Sequence, residues 1–90
     1  MTEATVLNYQ NTGIPNIEVV TLELSDGETF TSRKFSKLSG AIVSGNEDVD
    51  AHINAVITNG TSGAPASVAI NYAGQTDKDV TLVLFGKLGN

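Results

Sequence analysis

Three carboxylates fall within four consecutive positions, Glu47, Asp48 and Asp50, with Asn46 beside them. Such oxygen-rich loops can hold Ca²⁺, which takes several oxygen ligands. The spacing matches no EF-hand, since there is no Asp-x-Asp-x-Asp-Gly with a distal Glu. A solvated acidic turn is the plainer reading, and a calcium loop stays open beside it. Asp77 and Asp79 flank Lys78, and side chains of this kind hold turns together by bonding nearby backbone. His52 lies two residues after Asp50, a pairing available to a general base or a pH switch. A lone histidine at the start of a strand also reads as a structural or surface residue. Serines are plentiful, but none stands in Gly-x-Ser-x-Gly, and there is no cysteine nucleophile. Without a nucleophile–base constellation the expectation is a protein that is not an enzyme, with no catalytic, cofactor-binding or metal-ligating residues.

Two weaker signals complete the chemistry. Asn59-Gly60-Thr61 matches the N-glycosylation acceptor. The first residues, Met1-Thr2-Glu3-Ala4-Thr5, carry neither a basic nor an apolar targeting region, so the tripeptide reads as a turn. Tyr9, Tyr72, Phe30, Phe35 and Phe85 are the aromatic residues, and Trp is absent. That supply is thin for a sugar-stacking platform.

The elements that position these residues are short strands. Ala51–Leu88 organises the chain. It contains the strands Ala51–Thr58, Ala66–Tyr72 and Asp79–Phe85, separated by Asn59–Pro65 and Ala73–Lys78. Both connectors carry glycine and short polar residues suited to turns. In the last strand Val80, Leu82 and Leu84 share one face, and Thr81, Val83 and Phe85 the other. A strand with one solvated face alternates apolar with polar, and this one does not. Either it is central in its own fold, or its second face meets another subunit. Lys78, Asp79 and Lys87 place charge around it, which discourages β-aggregation.

Further upstream, Ile17–Leu24 alternates, with Val20, Leu22 and Leu24 as the core face. Ser25-Asp26-Gly27-Glu28 reads as a hairpin turn. Thr29–Phe35 reads as an exposed edge strand, because it carries hydroxyls and bases. Ser36–Ser44 reads as a strand bent near Ser39-Gly40, and 45–50 as a polar loop. Residues 1–16 are polar and read as an extended N-terminal arm, with a short strand near Thr5–Tyr9 as an option. Residues 17–90 then form one domain. No stretch repeats apolar residues at helical spacing. The expected fold is all-β: a small antiparallel β-sandwich, jelly-roll-like, with that arm.

Composition narrows the function classes. A chain of 90 residues forms a single domain with a modest core. Disulfides and thiolate metal sites are excluded by the missing cysteines, which leaves association as the usual aid to stability. Ten acids against five bases give a net charge of −5. That disfavours nucleic acid, whose phosphates need basic partners, and anionic membrane surfaces. No run approaches the roughly 18 apolar residues of a spanning helix.

The segment Gly74-Gln75-Thr76-Asp77-Lys78-Asp79-Val80-Thr81-Leu82-Val83-Leu84-Phe85-Gly86, preceded by Val68-Ala69-Ile70-Asn71-Tyr72, resembles the ends of short all-β virion proteins of tailed bacteriophages. These include head decoration and other accessory structural proteins. The resemblance implies a symmetric multimer, often a trimer, bound to the major capsid protein or another virion protein at the capsid surface. It implies no catalytic residues. The leading expectation is a non-enzymatic decoration or cement protein. Val80, Leu82, Val83, Leu84 and Phe85 would close core and interface, with Ile53, Ala55 and Ile57 as candidates to join them. Tyr9 in the arm, with the basic residues Arg33, Lys34 and Lys37, would contact the capsid. The alternative is a small ligand- or carbohydrate-binding module of adhesin type, using the loops 44–50 and 59–65.

Overall fold

A computed structural model describes residues 3–10, 16–60 and 64–86. Among them there are seven strands and no helix: β1 (Thr5–Gln10), β2 (Ile17–Leu24), β3 (Thr29–Thr31), β4 (Leu38–Gly45), β5 (Ile53–Thr58), β6 (Ser67–Tyr72) and β7 (Lys78–Gly86). They form a four-stranded sheet, β1-β2-β7-β4, and a three-stranded sheet, β3-β6-β5. Every strand pair within the sheets is antiparallel. The molecule is a small β-sandwich.

The pairing is nested. β2 pairs with β7 and β3 with β6, while β4 and β5 meet at the side of the sandwich without a ladder between them. A long hairpin folded at the 46–52 loop and rolled up gives this order, which is the jelly-roll principle. Nesting also explains the turns. Ser25–Glu28 is not the hairpin turn expected from Asp-Gly, because β2 and β3 belong to different sheets. The turn instead leads the chain across the sandwich, where β6 and the β6–β7 turn hold it. Asp26 N–H donates to Gln75 O, Gly27 N–H donates to Ile70 O, and Asp26 Oδ1 accepts from Tyr72 N–H at 2.8 Å. Gly27 takes φ +87° here, a region where a side chain is disfavoured. The β6–β7 connection likewise changes sheets.

Three further expectations need correction or refinement. The strand expected over 29–35 ends at Thr31. Beyond it Ser32 Oγ accepts from Lys34 N–H and Phe35 N–H, so the chain turns, and Phe35 is buried rather than exposed. Within the stretch read as an arm over 1–16, the short strand offered near Thr5–Tyr9 is present as β1, the outer strand of the larger sheet, and Ala4 enters the core. Residues 1–2 and 11–15 of that stretch lie outside the described residues. Leu38–Gly45 does carry its irregularity between Leu38 and Gly40, as the serine–glycine pair suggested.

The core lies between the sheets. Val20, Leu22 and Leu24 of β2 and Val80, Leu82 and Leu84 of β7 are fully buried, facing Phe30, Val68, Ile70 and Tyr72. Two glycines allow close approach. A Cβ on Gly45 would stand 2.6 Å from the Tyr72 hydroxyl, and one on Gly86 would stand 2.5–2.8 Å from the Phe35 ring.

Candidate interaction surfaces

β7 is the pivot of the surface chemistry because it is central in its sheet. Val80, Leu82 and Leu84 point into the core, as their period demands. Thr81, Val83 and Phe85 point away from it and are partly exposed. The register lines up rows of neighbours on this outer face. Val83 stands between Val19 of β2 and Ile42 of β4, and Phe85 stands between Ile17 and Gly40. Ile42 is 58% exposed. The next row is Asn8, Thr21, Thr81 and Ser44, and beyond it Glu23 faces Asp79. The face thus grades from apolar at one end, through hydroxyls, to acidic at the other. Of the residues expected at an interface, Val83 and Phe85 are placed where a partner could reach them, and Val80, Leu82 and Leu84 are not. Ile53, Ala55 and Ile57 pack against the core from β5.

The expected capsid-contact residues divide differently. Tyr9 and Arg33 come together: the guanidinium lies over the phenol ring, 4.5 Å from its centroid. Lys34 folds back, its Nζ donating to Ile17 O at 2.8 Å and lying 5.8 Å from the Phe35 ring. Lys37 is exposed.

Beneath Tyr9 and Arg33 lies a residue the sequence reading did not single out. Glu18 is fully buried. Its Oε2 accepts from Tyr9 Oη and from Arg33 N–H at 2.9 Å, and its Oε1 accepts from Ser32 Oγ at 2.7 Å. Burial of an acid is tolerated only with such partners. Burial, together with donation to Glu18 and its negative charge, pushes the Tyr9 phenol well above its ordinary pKa of 10.0, and Arg33 offsets part of that rise. The signal was present in the sequence: Glu18 shares the inward parity of Val20, Leu22 and Leu24. An acid at an inward position announces a buried polar network.

The acidic loop is knitted to β7. Glu47 Oε2 accepts from Asp79 N–H at 2.8 Å, Asn46 N–H donates to Asp79 O, and Asn46 Oδ1 accepts from Thr81 Oγ1. Two of the loop's oxygen side chains are therefore engaged with the protein. Among the described residues no three His, Cys, Asp or Glu side chains gather as a metal-ion group. His52 is exposed, and its carbonyl accepts from Ala73 N–H. Asp77 takes φ +52° at the last turn and donates its N–H to Ser25 Oγ, a turn role. Asn59 Oδ1 caps Leu38 N–H, and Thr61 lies outside the described residues. A shallow cleft of about 270 Å³ lies along Ser32–Ser36 and Ala64–Pro65, just under the range of about 300–1,000 Å³ usual for small-molecule sites.

Compared with known proteins, this chain matches no family model, no curated protein and no solved structure.

Proposed function

We propose that this chain is a non-enzymatic structural protein that works by self-association and surface binding, as a decoration or cement protein on a phage capsid. The observation that carries the associating part is the outer face of the larger sheet. Val19, Val83 and Ile42 form one row, with Ile17 and Phe85 beside it, and Ile42 is more than half exposed. Apolar patches of this kind on a small domain mark association sites. The capsid as partner rests on the resemblance of the 68–86 segment to phage virion proteins. On this reading Tyr9, Arg33, Lys34 and Lys37 form the basic side offered to the major capsid protein, and the site of action is the virion surface. The stacking of Arg33 on Tyr9 would present a rigid, amphipathic contact.

Light scattering on the purified chain tests the reading. A closed homo-oligomer that survives dilution is expected; a trimer is the number the resemblance implies. Phe85→Asp places a charge in the apolar rows and should dissociate it. A monomer at all concentrations would refute self-association.

A further inference from the structure

The four sheet edges are not alike. β3 is three residues long, and its edge is covered: Ala4 N–H donates to Thr29 O at 2.7 Å, and the Glu3 carboxylate accepts from Thr29 Oγ1 and Thr31 Oγ1. β1 is broken by an irregularity at Leu7. β4 has one at Ser39, and its straight run begins and ends in glycine, at Gly40 and Gly45. Short length, covering and bulges are the devices that blunt an edge. β5 is neither short nor bulged, and although β4 lies beside it at the side of the sandwich, no ladder joins the two. Its six residues, Ile-Asn-Ala-Val-Ile-Thr, pair with β6 in unbroken register. It holds no proline, glycine or charge, and among the described residues its other side joins no ladder. The charges flanking β7 guard a strand that is central. The unguarded strand is the one at an edge.

We infer that β5 is a pairing edge, and that its occupant is β5 of a second copy, antiparallel across a twofold axis. This rests on the self-association proposed above and adds a second contact to it, at the edge of the smaller sheet. Two features select a second copy. The chain carries a net charge of −5, yet residues 51–76 contain no Asp, Glu, Lys or Arg, so two acidic copies can meet here without opposing like charges. The strand is also self-complementary about Val56. That register sets Val56 on its own copy, Asn54 opposite Thr58, and Ala55 opposite Ile57. Apolar then meets apolar and polar meets polar on the outer face, and small meets large on the inner one. Val56, 47% exposed in the single chain, becomes covered. The product is a six-stranded sheet, β3-β6-β5-β5-β6-β3. A twofold contact closes at two copies, so the β5 contact by itself joins chains of 9.4 kDa in pairs, whatever number the outer face of the larger sheet assembles.

Single cysteines in this cysteine-free chain test the register. Directly opposite residues in an antiparallel pair have Cα atoms about 4.5–5.5 Å apart, within reach of a disulfide. Two Asn54 residues would stand about 14 Å apart at roughly 3.4 Å per residue. Under mild oxidation Val56→Cys should form covalent dimer at least about tenfold faster than Asn54→Cys or Thr58→Cys alone, because pairing raises the local thiol concentration. A mixture of the last two should cross-link. Val56→Lys, folded by circular dichroism, should lose the β5 contact and show a lower mass than wild type by light scattering. Equal rates for the three cysteines, or an undiminished mass for Val56→Lys, would overturn the β5 pairing. If Phe85→Asp alone still lowered the mass, self-association through the larger sheet would stand without the β5 contact. A wild-type monomer would overturn both.

Discussion

Glu18→Gln is a near-isosteric change whose cost can be worked from hydrogen-bond bookkeeping. Glu18 Oε2 takes two donors, Tyr9 Oη and Arg33 N–H. The amide oxygen of Gln can take that place and keep both. The NH₂ must then replace Oε1 and face Ser32 Oγ. That hydroxyl already accepts from Lys34 N–H at 3.1 Å and Phe35 N–H at 2.9 Å, and its one proton points at Glu18. An oxygen holding two backbone donors has no lone pair left for a third. Donor therefore meets donor in a fully buried place. The Ser32–Glu18 bond is lost, which for a charged acceptor is about 1.5–3 kcal/mol, and a polar group is left unmet. Flipping the amide saves Ser32 and sacrifices two bonds instead. The expected destabilisation is about 2–3 kcal/mol, or a fall in Tm of roughly 8–24 °C for a domain of this size. Urea unfolding followed by circular dichroism measures it. Glu18→Gln and Ser32→Ala together should cost less than the sum of the two alone, since the donor–donor clash is absent once the hydroxyl is gone. A Glu18→Gln protein within about 0.5 kcal/mol of wild type, the usual scatter of surface substitutions, would refute the network as drawn.

Other outcomes follow from the same geometry. The raised pKa of Tyr9 means that its contribution to stability is complete below pH 10 and falls as pH rises beyond it, until the folded protein itself ionises. Urea midpoints measured from about pH 9 upward should decline more steeply for wild type than for Tyr9→Phe. Equal slopes would contradict the buried Tyr9–Glu18 bond. The two faces of β7 should separate by mutation: Leu82→Ala should cost about 2–5 kcal/mol through a core cavity, and Val83→Ala much less in the dissociated chain. Gly86→Ala forces a methyl into the buried Phe35 ring and should cost about 1–3 kcal/mol. Phe35→Leu in the same chain should return part of that cost, read as a non-additive urea midpoint.

What was legible in the sequence was parity. Ile17–Leu24 has the bounds and the core face that alternation implied, and the final strand had two apolar faces because it lies between β2 and β4. What parity cannot carry is the partner of each strand. Asp-Gly between two strands satisfies a hairpin and a sheet-crossing corner equally, because both need positive φ at one residue. The choice is made at a distance, by Tyr72 N–H reaching Asp26 Oδ1 and Gln75 O receiving Asp26 N–H. The N-terminal stretch reads equally as an arm or as a short strand for a related reason. Thr5–Gln10 buries little of its own side chains, so its composition resembles a loop. Its place in the sheet comes from the backbone ladder to β2 and from Tyr9 meeting Glu18.

That link bears on how the chain could work. Tyr9 and Arg33 are the outer layer of a network whose inner layer is Glu18, so the basic side of the molecule is held by the same acid that joins β1 to β2 and to the turn after β3. A patch built this way does not need to order its side chains on meeting a partner, and ordering each long side chain costs about 0.5–1.5 kcal/mol in an interface. Arg33 and Tyr9 are therefore better suited to binding than Lys37, whose exposed side chain must be ordered on contact. If this side of the sandwich binds an acidic surface, Glu18→Gln should weaken that binding although Glu18 itself is buried and touches nothing outside. The loss should appear at temperatures where the variant is fully folded, which separates it from the stability effect. Retained affinity in a folded Glu18→Gln protein would mean that Tyr9 and Arg33 are held for the fold alone.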